Sequence, residues 1–341
     1  MNFTRKRIAI TNPGIESTVG IGRVIANALI ENEDVSLVAL SDYPLGINPL
    51  HFEEVHLSKL DFREGSIFST FAKKCYEKYT YDALIPCGEF EILDTSRYQS
   101  IFEESGIALL VPDYESLIRV QKCNLEQLAD ALNVRIPETC LLTEFKNEEN
   151  NYPIFLKGAT NGVILVESGK ELSNAVSRAM GMSWEPLLVQ QMVSGTELSV
   201  AGITDKNCEI RSLVQIRKIG IDPQGNTWMG CTIFRHDIES IVYRFIEELS
   251  WIGPFEIEFI ECDDSNQLIL LEINPRLPAW CSGIGDVNLP HILTDLLFGH
   301  SIPLQLAQHG KTFCRTFHTE SFPMPTFMNL ISRGVNLRAE S

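Results

Sequence analysis

Apolar and polar residues follow two patterns along this chain: short apolar runs, and longer segments in which apolar residues recur with helical spacing. In the first 110 residues the two patterns alternate. The apolar runs predict strands at 7–11, 35–40, 81–86 and 107–111, and the helical spacing predicts helices at 23–31 and 68–79. Strands that alternate with helices favour a parallel sheet, so this region is predicted to be a doubly wound α/β domain.

A second unit is expected to begin at Pro112, where Asp113 can cap a new helix. Helical spacing predicts helices at 117–132, 171–180, 238–249 and 291–297. Apolar or alternating runs predict strands at 153–157, 163–167, 187–200 (with a hinge), 212–219, 227–233 and 311–321. Residues 333–341 have the composition of a frayed tail.

The clearest pattern lies between Gly253 and Trp280. Apolar residues alternate with polar ones through 255–261 and again through 268–274, and four residues of turn type separate the two runs. The segment is therefore predicted to be a β-hairpin. Symmetric closure pairs Glu258 with Glu272, and Cys262 with Leu268. The apolar face is then predicted to carry Phe255, Ile257, Phe259, Ile269, Leu271 and Ile273.

The opposite face of this hairpin carries Glu258, Glu272 and Asn274. Two carboxylates directly across from each other repel, so they need a cation or a proton between them. An all-oxygen ligand set favours a hard cation, and Mg²⁺ shared with phosphate groups fits best. Arg276 adds a donor for anionic oxygens. The simpler alternative is a solvated acidic face, but the apolar surroundings and the Asn-Pro-Arg sequence favour the metal site.

The sequence EINPR at 272–276, with an acidic residue fourteen positions upstream of Glu272, resembles the metal-binding signature of the ATP-grasp superfamily. The continuation LPAW…NLP resembles the carbamoyl-phosphate-synthase-like branch. The resemblance implies an α/β chain in which a Rossmann-like pre-ATP-grasp domain precedes a two-subdomain α+β ATP-grasp fold. The implied boundaries are 1–112 for the first domain, 113–310 for the ATP-grasp domain with a lid at about 135–188, and 311–341 for a C-terminal strand and tail.

The resemblance also implies how ATP phosphates are held. Lys122 matches a basic residue that relatives present to the phosphates, and Lys157 resembles a second lysine on a strand of the lid. Lys218 is expected to contact the γ-phosphate, since relatives often place a basic residue on this strand. The glycine-rich flap of relatives is replaced by the shorter GATNG at 158–162. The phosphates are therefore expected to depend more on the lysines than on the loop.

The segment 187–200 resembles the hinge that holds the adenosine part of ATP. The backbone around Gln191 to Val193 is expected to bind the adenine edge. Gln190 occupies the place where many relatives have a glutamate that faces the adenine amino group, and Glu197 matches the acid that binds the ribose.

The function that the resemblance implies is an ATP-dependent carboxylate–amine ligase, or less often a carboxylate–thiol ligase, that acts through an acyl phosphate. Its cofactors would be ATP and Mg²⁺ or Mn²⁺, with Arg276 and Lys218 at the reacting groups. Its partners would be small-molecule carboxylates and amines, and a homodimer is possible. Three alternatives stay open: a small-molecule kinase of the same fold, an NAD-binding oxidoreductase, and a non-catalytic ATP-binding protein.

Two other glycine motifs are weaker. Gly20-Ile21-Gly22, with Asp42 at the end of the next strand, resembles a dinucleotide fingerprint, but its third glycine is missing. The loop at 17–22 could still bind an anion at a helix N-terminus. Gly310-Lys311-Thr312 resembles a P-loop, but Gln305 stands where the first glycine must be, so this motif is rejected.

Composition narrows the class of protein. The net charge is −17 and no Lys/Arg cluster is large enough to match a nucleic-acid footprint, so nucleic acid is not an expected partner. No stretch approaches the length of an apolar membrane span, and the N-terminus lacks a signal-peptide pattern. The nine cysteines are scattered without a CxxC pair, which indicates reduced thiols in a cytoplasmic protein.

Overall fold

The computed structural model describes residues 5–14, 20–62, 67–158, 162–182, 184, 186–222, 225–284, 286–316, 319, 321–326 and 328. Its helices are α1 (Ile21–Leu29), α2 (Ile67–Tyr79), α3 (Glu89–Arg97), α4 (Gln99–Glu104), α5 (Tyr114–Arg119), α6 (Leu125–Ala131), α7 (Gly169–Gly181), α8 (His236–Leu249) and α9 (Leu289–Leu297). None of these helices is long and apolar enough to cross a membrane.

The strands fall into three sheets. They are β1 (Lys6–Thr11), β2 (Val35–Ser41), β3 (Glu54–Leu57), β4 (Ala83–Ile85), β5 (Thr139–Leu141), β6 (Ile154–Gly158), β7 (Val163–Val166), β8 (Leu187–Gln191), β9 (Gly195–Thr204), β10 (Ile210–Ile221), β11 (Thr227–Ile233), β12 (Gly253–Cys262), β13 (Leu268–Asn274), β14 (Gln305–Leu306) and β15 (Thr312–Cys314).

The first domain contains a four-stranded parallel sheet in the order β3-β2-β1-β4. The predicted parallel α/β arrangement is confirmed. The strand predicted at 107–111 is wrong, because this segment makes only a single bridge, between Ala83 and Ala108. Its neighbour β4 is three residues long and offers little backbone to pair with. The sheet gains β3 instead, which the apolar pattern does not predict.

The central sheet has the order β13-β12-β9-β10-β11-β15, and β14 lies parallel beside β10. One face packs on α8 in a core that includes Phe245, Trp251 and Phe255. On the other face, Ile216 of β10 shares a core with Ile8 of the first sheet. Because both faces are covered by apolar packing, the first domain is held directly against the central sheet. The strand predicted at 311–321 is shorter than expected and consists of β15.

A third sheet, β5-β8-β6-β7, is antiparallel and packs on α7. It has an apolar core of its own, to which Leu156, Val166, Ala179 and Val189 belong. The predicted hairpin of β6 and β7 and the helix after it are confirmed. We call this unit the lid sheet.

The helix predicted at 117–132 is interrupted. It is divided into α5 and α6 by a turn at 120–124, so the prediction of one continuous helix is wrong. The Asn124 side chain donates to the carbonyl oxygen of Ile118 over 2.9 Å. A side chain that bonds the backbone in this way competes with the helical pattern. Lys122 therefore lies in the turn rather than in the middle of a helix.

The hairpin of β12 and β13 forms as predicted, with Glu258 paired to Glu272. The pairing of Cys262 with Leu268 is wrong, because Glu261 occupies that position. The register shifts by one residue immediately beyond the Glu258 pair, which is a β-bulge.

The bulge reverses the side chains of the first half of β13. Leu270 is fully buried in the core against α8, whereas Ile269 and Leu271 are only partly buried. The expected positions of Ile269 and Leu271 on the apolar face are therefore wrong. Ile273 lies beyond the bulge and is buried as predicted.

The glycines of the dinucleotide-like motif have a packing role. A Cβ on Gly22 would lie 2.1 Å from the backbone oxygen of Thr11, and a Cβ on Gly20 would lie 2.4 Å from that of Gly14. No side chain fits such distances, so glycine is required where α1 starts against the end of β1. Residues 17–19 of the predicted anion loop (17–22) lie outside the described residues.

Candidate active site

A cleft opens where the first domain meets the hairpin. The start of α3, the end of α5 with the turn after it, and the end of β13 line this cleft, whose empty space, including the part open to solvent, is about 530 Å³. The polar residues in its wall are Glu89, Gln121, Lys122, Glu272 and Asn274. The break between α5 and α6 thus brings Lys122 to the metal-binding motif that the sequence predicts.

Lys218 joins two of the predicted acids. Its Nζ lies 2.6 Å from Glu258 Oε2 and 3.1 Å from Glu197 Oε2. Burial opposes the charge on Lys218, but the two carboxylates outweigh it and raise its pKa well above the usual range. The neighbouring Arg217 points to the opposite face and is exposed. From β10, Lys218 is therefore a fixed cation that bridges the carboxylates of Glu197 on β9 and Glu258 on β12.

Glu272 is held by lysines from two other elements. Lys122 Nζ lies 3.3 Å from Glu272 Oε2. Burial disfavours the charged carboxylate, but Lys122, Lys157 and Lys218 outweigh it and hold the pKa of Glu272 well below its usual range. Burial lowers the pKa of Lys157, and the charge of Glu272 opposes that change. Lys157 reaches this cluster from β6 of the lid sheet.

The pKa of Glu258 shifts in the opposite direction from that of Glu272. Burial raises its pKa, and repulsion from Glu256 and Glu272 adds to that effect, while Lys218 opposes it. The acidic face is therefore crowded with negative charge. A further cation that contacts the carboxylates of both β12 and β13 would stabilise this face.

Glu256 is the residue of this face to which the sequence assigns no role. Its Oε1 accepts hydrogen bonds from Ser199 Oγ at 3.0 Å and Trp280 Nε1 at 2.9 Å. Its Oε2 accepts one from Asn274 Nδ2 at 3.2 Å and lies 3.8 Å from Arg276 Nη1. The alternation with a period of two that places Glu258 on the polar face places Glu256 there as well, so this pattern was the signal in the sequence that could have identified Glu256. Glu256 orients Asn274, whose Nδ2 also donates to Glu272 over 3.2 Å.

Arg276 is the second residue after the end of β13. Its Nη2 lies 3.4 Å from Asn274 Oδ1, which is its closest hydrogen-bond partner among the described residues. The guanidinium is partly exposed and has several unused N–H donors, so it can bind an anionic group in the cleft.

The hinge residues lie at the end of β8. Gln190 is buried, and its Nε2 donates to Thr139 Oγ1 over 3.1 Å. No hydrogen bond to its amide oxygen is found among the described residues, so this oxygen can accept one from a ligand. The backbone N–H of Gln191 donates to the carbonyl oxygen of Glu138, so that donor is not available to a nucleotide. Val193 lies in the three-residue connection between β8 and β9.

Two carboxylates at the start of α3 are further residues that the sequence analysis misses. Asn12 Nδ2 donates to Glu91 Oε1. Burial raises the pKa of Glu91 to about 7. Burial also raises the pKa of Glu89, and the charges of Lys122 and Arg276 oppose that change. No local motif marks these residues, because their environment depends on the end of the parallel sheet meeting the hairpin.

The donor set on the hairpin fits a hard divalent cation. Within the described residues no three His, Cys, Asp or Glu side chains form a cluster that could hold a metal ion. An ion on this face would take Glu258, Glu272 and the amide oxygen of Asn274, all of which are oxygen ligands. Oxygen ligands in such small number suit Mg²⁺ or Mn²⁺ completed by water or phosphate oxygens.

The structure thus brings eight of the predicted residues into one charged cluster. They are Lys122, Lys157, Glu197, Lys218, Glu258, Glu272, Asn274 and Arg276. Residues 159–161 of the predicted flap lie outside the described residues.

Comparison with protein-family models explains this arrangement. A model for the ATP-grasp domain matches residues 121–279. The chain contains an ATP-grasp domain. The match begins just before Lys122 and ends just after Arg276, so it includes the whole cluster. A comparison with curated proteins finds no sequence match.

Solved structures have the same ATP-grasp fold. N5-carboxyaminoimidazole synthetase from Staphylococcus aureus, complexed with ADP, has a TM-score of 0.69 at 14% identity, covering 92% of this chain and 82% of its own. The biotin carboxylase domain dimer of Hydrogenobacter thermophilus 2-oxoglutarate carboxylase, with MgADP, ADP and bicarbonate, has a TM-score of 0.68 at 14% identity and coverages of 90% and 73%. L-amino acid ligase from Bacillus licheniformis has a TM-score of 0.63 at 14% identity and coverages of 86% and 74%.

These likenesses extend over the first domain as well as the ATP-grasp domain, since each covers 86% of this chain or more. The predicted fold class, a Rossmann-like domain followed by an ATP-grasp fold, is confirmed. The assignment to the carbamoyl-phosphate-synthase-like branch stays a prediction.

Proposed function

We propose that this chain is an ATP-dependent ligase that joins a small-molecule carboxylate to an amine and releases ADP and phosphate. The observation that carries the proposal is the meeting of three lysines and Arg276 with Glu258 and Glu272 in one charged cluster, of which Lys122 and Glu272 line the cleft. Such a set of fixed cations and metal-type oxygens suits charge that develops on transferred phosphoryl groups. The ATP-grasp domain and its ADP-bound structural neighbours support ATP as the phosphoryl donor.

The adenosine part of ATP would lie at the hinge between β8 and β9. We assign the adenine edge to the backbone from Gln191 to Val193, with the N–H of Gln191 already engaged. The amide oxygen of Gln190 would accept from the adenine amino group. Glu197 would accept from the ribose hydroxyls while Lys218 keeps its carboxylate charged.

The phosphates would lie along the lysines. Lys122 from the turn and Lys157 from the lid sheet would contact them, and Lys218 would lie nearest the γ-phosphate. Glu258, Glu272 and Asn274 would hold Mg²⁺ or Mn²⁺, which when bound neutralises phosphate charge and polarises the γ-phosphate. Glu256 would keep the oxygen of Asn274 in place through their 3.2 Å hydrogen bond.

The proposed chemistry has two steps. A carboxylate oxygen attacks the γ-phosphorus, so that a new acyl oxygen–phosphorus bond forms, the bond to the β-phosphate oxygen breaks, and ADP leaves. An amine nitrogen then attacks the acyl carbon, forming the carbon–nitrogen bond while the carbon–oxygen bond breaks. Inorganic phosphate and the amine proton are released. Arg276, whose Nη2 lies 3.4 Å from Asn274 Oδ1, would hold the anionic carboxylate or acyl phosphate.

The test is product analysis with purified protein, ATP and Mg²⁺ in the presence of pools of carboxylates and amines. A ligase forms ADP and inorganic phosphate together, and only when both substrates are present. A kinase of the same fold would form ADP and a phosphorylated product without phosphate release, which would contradict the proposal. The homodimer and the cytoplasmic location stay predictions, and the mass of the chain in solution tests the first.

A further inference from the structure

The cleft beside the proposed metal site has a wall that phosphate chemistry does not require. Its polar lining includes Lys122, Glu272 and Asn274. The rest of the lining is mostly apolar and comes from α3, from α5 with its C-cap, and from the end of the hairpin. The apolar lining residues are Phe90, Leu93, Leu117, Val120, Ile273 and Pro275. A triphosphate would gain nothing from such residues, so the apolar lining points to a substrate with an apolar group.

Glu89 belongs to the polar lining of the cleft and is followed in the chain by the apolar lining residue Phe90. Within the described part of the chain it has no hydrogen bond and no ion pair, whereas Glu272 contacts Lys122 and Glu258 contacts Lys218. Glu89 is also the first residue of α3, where the helix dipole favours a negative charge. A partly buried carboxylate without a partner is unfavourable until a ligand supplies a cation.

The position of Glu89 relative to Arg276 limits what that cation can belong to. Arg276 follows Pro275 of the cleft lining, and its Nη2 lies 3.4 Å from Oδ1 of Asn274, which also lines the cleft. An anion-binding group thus lies beside the cleft that Glu89 lines, and the charge of Arg276 acts on Glu89. In an α-amino acid, one carbon atom carries both the carboxylate and the ammonium group. A ligand of this kind matches a cleft with a cation site and an anion site close together.

We propose that this cleft binds the carboxylate substrate as an apolar α-amino acid. The ammonium group contacts Glu89, the carboxylate is directed to Arg276, and the side chain packs on the wall that Phe90 and Leu117 form. This inference rests on the proposed function, and it names the substrate class for the step in which the acyl phosphate forms.

The test measures binding to protein saturated with magnesium and a non-hydrolysable ATP analogue. The probes are L-leucine and L-phenylalanine, and the matched controls are 4-methylpentanoate, which lacks the amine, and 3-methylbutylamine, which lacks the carboxylate. We expect at least one of the two amino acids to bind, and both truncated analogues to bind at least tenfold more weakly than the amino acid they match. Glu89→Gln should weaken amino acid binding about tenfold or more, since a charged hydrogen bond is lost, and should leave the binding of 4-methylpentanoate unchanged.

The control variant is Glu126→Gln, which changes an exposed glutamate in the first turn of α6 and should leave all affinities unchanged. Equal binding of 4-methylpentanoate and leucine, no binding of either amino acid, or a normal affinity in Glu89→Gln would overturn the inference. Binding of the magnesium–nucleotide complex is measured first in the same samples. If it binds and the amino acids do not, the inference fails while the nucleotide site stands; if it does not bind, the proposed function fails as well.

Discussion

The buried carboxylate of Glu256 provides a test of how the polar face of the hairpin is organised. It is 4% exposed and receives hydrogen bonds on both oxygens, from Ser199 and Trp280 on one and from Asn274 on the other. In Glu256→Gln the remaining oxygen can still accept from Ser199 and Trp280. The new amide nitrogen would then face Asn274 Nδ2, so two donors meet where a donor and an acceptor met before.

The expected loss of stability in Glu256→Gln follows from this one mismatch between two hydrogen-bond donors. A hydrogen bond to a charged group contributes about 1.5–3 kcal/mol to the free energy of unfolding. Loss of the attraction to Arg276 at 3.8 Å adds to the cost, and reduced repulsion of Glu258 partly offsets it. We therefore expect Glu256→Gln to lower the free energy of unfolding by roughly 1.5–3 kcal/mol. If Asn274 instead rotates its amide, stability recovers, but its oxygen no longer faces the proposed metal.

Two measurements separate these outcomes. Urea denaturation gives the stability, and calorimetry gives the affinity for magnesium–ATP, which we expect to fall by about tenfold to a hundredfold when this supporting contact is lost. Ser199→Ala is the matched control, because it removes one hydrogen bond from the same carboxylate and leaves Asn274 oriented. It should cost about 1 kcal/mol and leave the affinity intact. Wild-type stability together with wild-type magnesium–ATP affinity in Glu256→Gln would refute the reasoning.

Three further predictions use the same structure. Lys157→Met should abolish ADP formation, because the lid sheet then presents no cation to the phosphates, whereas the exposed Lys170→Met should be tolerated; equal activity of the two variants would contradict this. Glu197→Ala should raise the Michaelis constant for ATP about tenfold with little change in kcat, as expected when a contact is equally strong in ground and transition states, and an unchanged ATP affinity would contradict the ribose assignment. Burial raises the pKa of Glu91 from an ordinary value of 4.5 to about 7, so folding favours its protonated form and stability falls as pH rises between these values. Glu91→Gln should remove that decline, so that its unfolding free energy exceeds the wild-type value by up to about 3 kcal/mol more at pH 8 than at pH 4, and parallel pH profiles in urea titrations would contradict this.

The sequence predicts the hairpin and its central pair because strand alternation has a period of two. Phe255, Ile257 and Phe259 alternate strictly with glutamates, so only one face can enter the core. The bulge escapes this reasoning. Leu270 and Leu271 are both apolar, and hydrophobicity alone cannot decide which of them packs against α8.

The break between α5 and α6 cannot be predicted from the sequence pattern for a related reason. Apolar residues keep helical spacing through 117–132, and the interruption depends on one side-chain contact from Asn124 to Ile118. Glu89 and Glu256 escape prediction because their surroundings come from distant parts of the chain. Glu89 borders the cleft only because the first sheet packs on the central one. Glu256 has its partners on β9, at the end of β13 and after β13.

The central claim is that Glu272 holds a divalent cation that shares ATP phosphates. Calorimetry of ATP binding with and without Mg²⁺, on the wild-type chain and on Glu272→Gln, tests it most directly. The wild type should bind ATP at least tenfold more tightly with Mg²⁺, and the variant should lose that enhancement while it still binds metal-free ATP. A variant with the full magnesium enhancement, or a wild-type chain whose ATP affinity does not depend on magnesium, would contradict the claim.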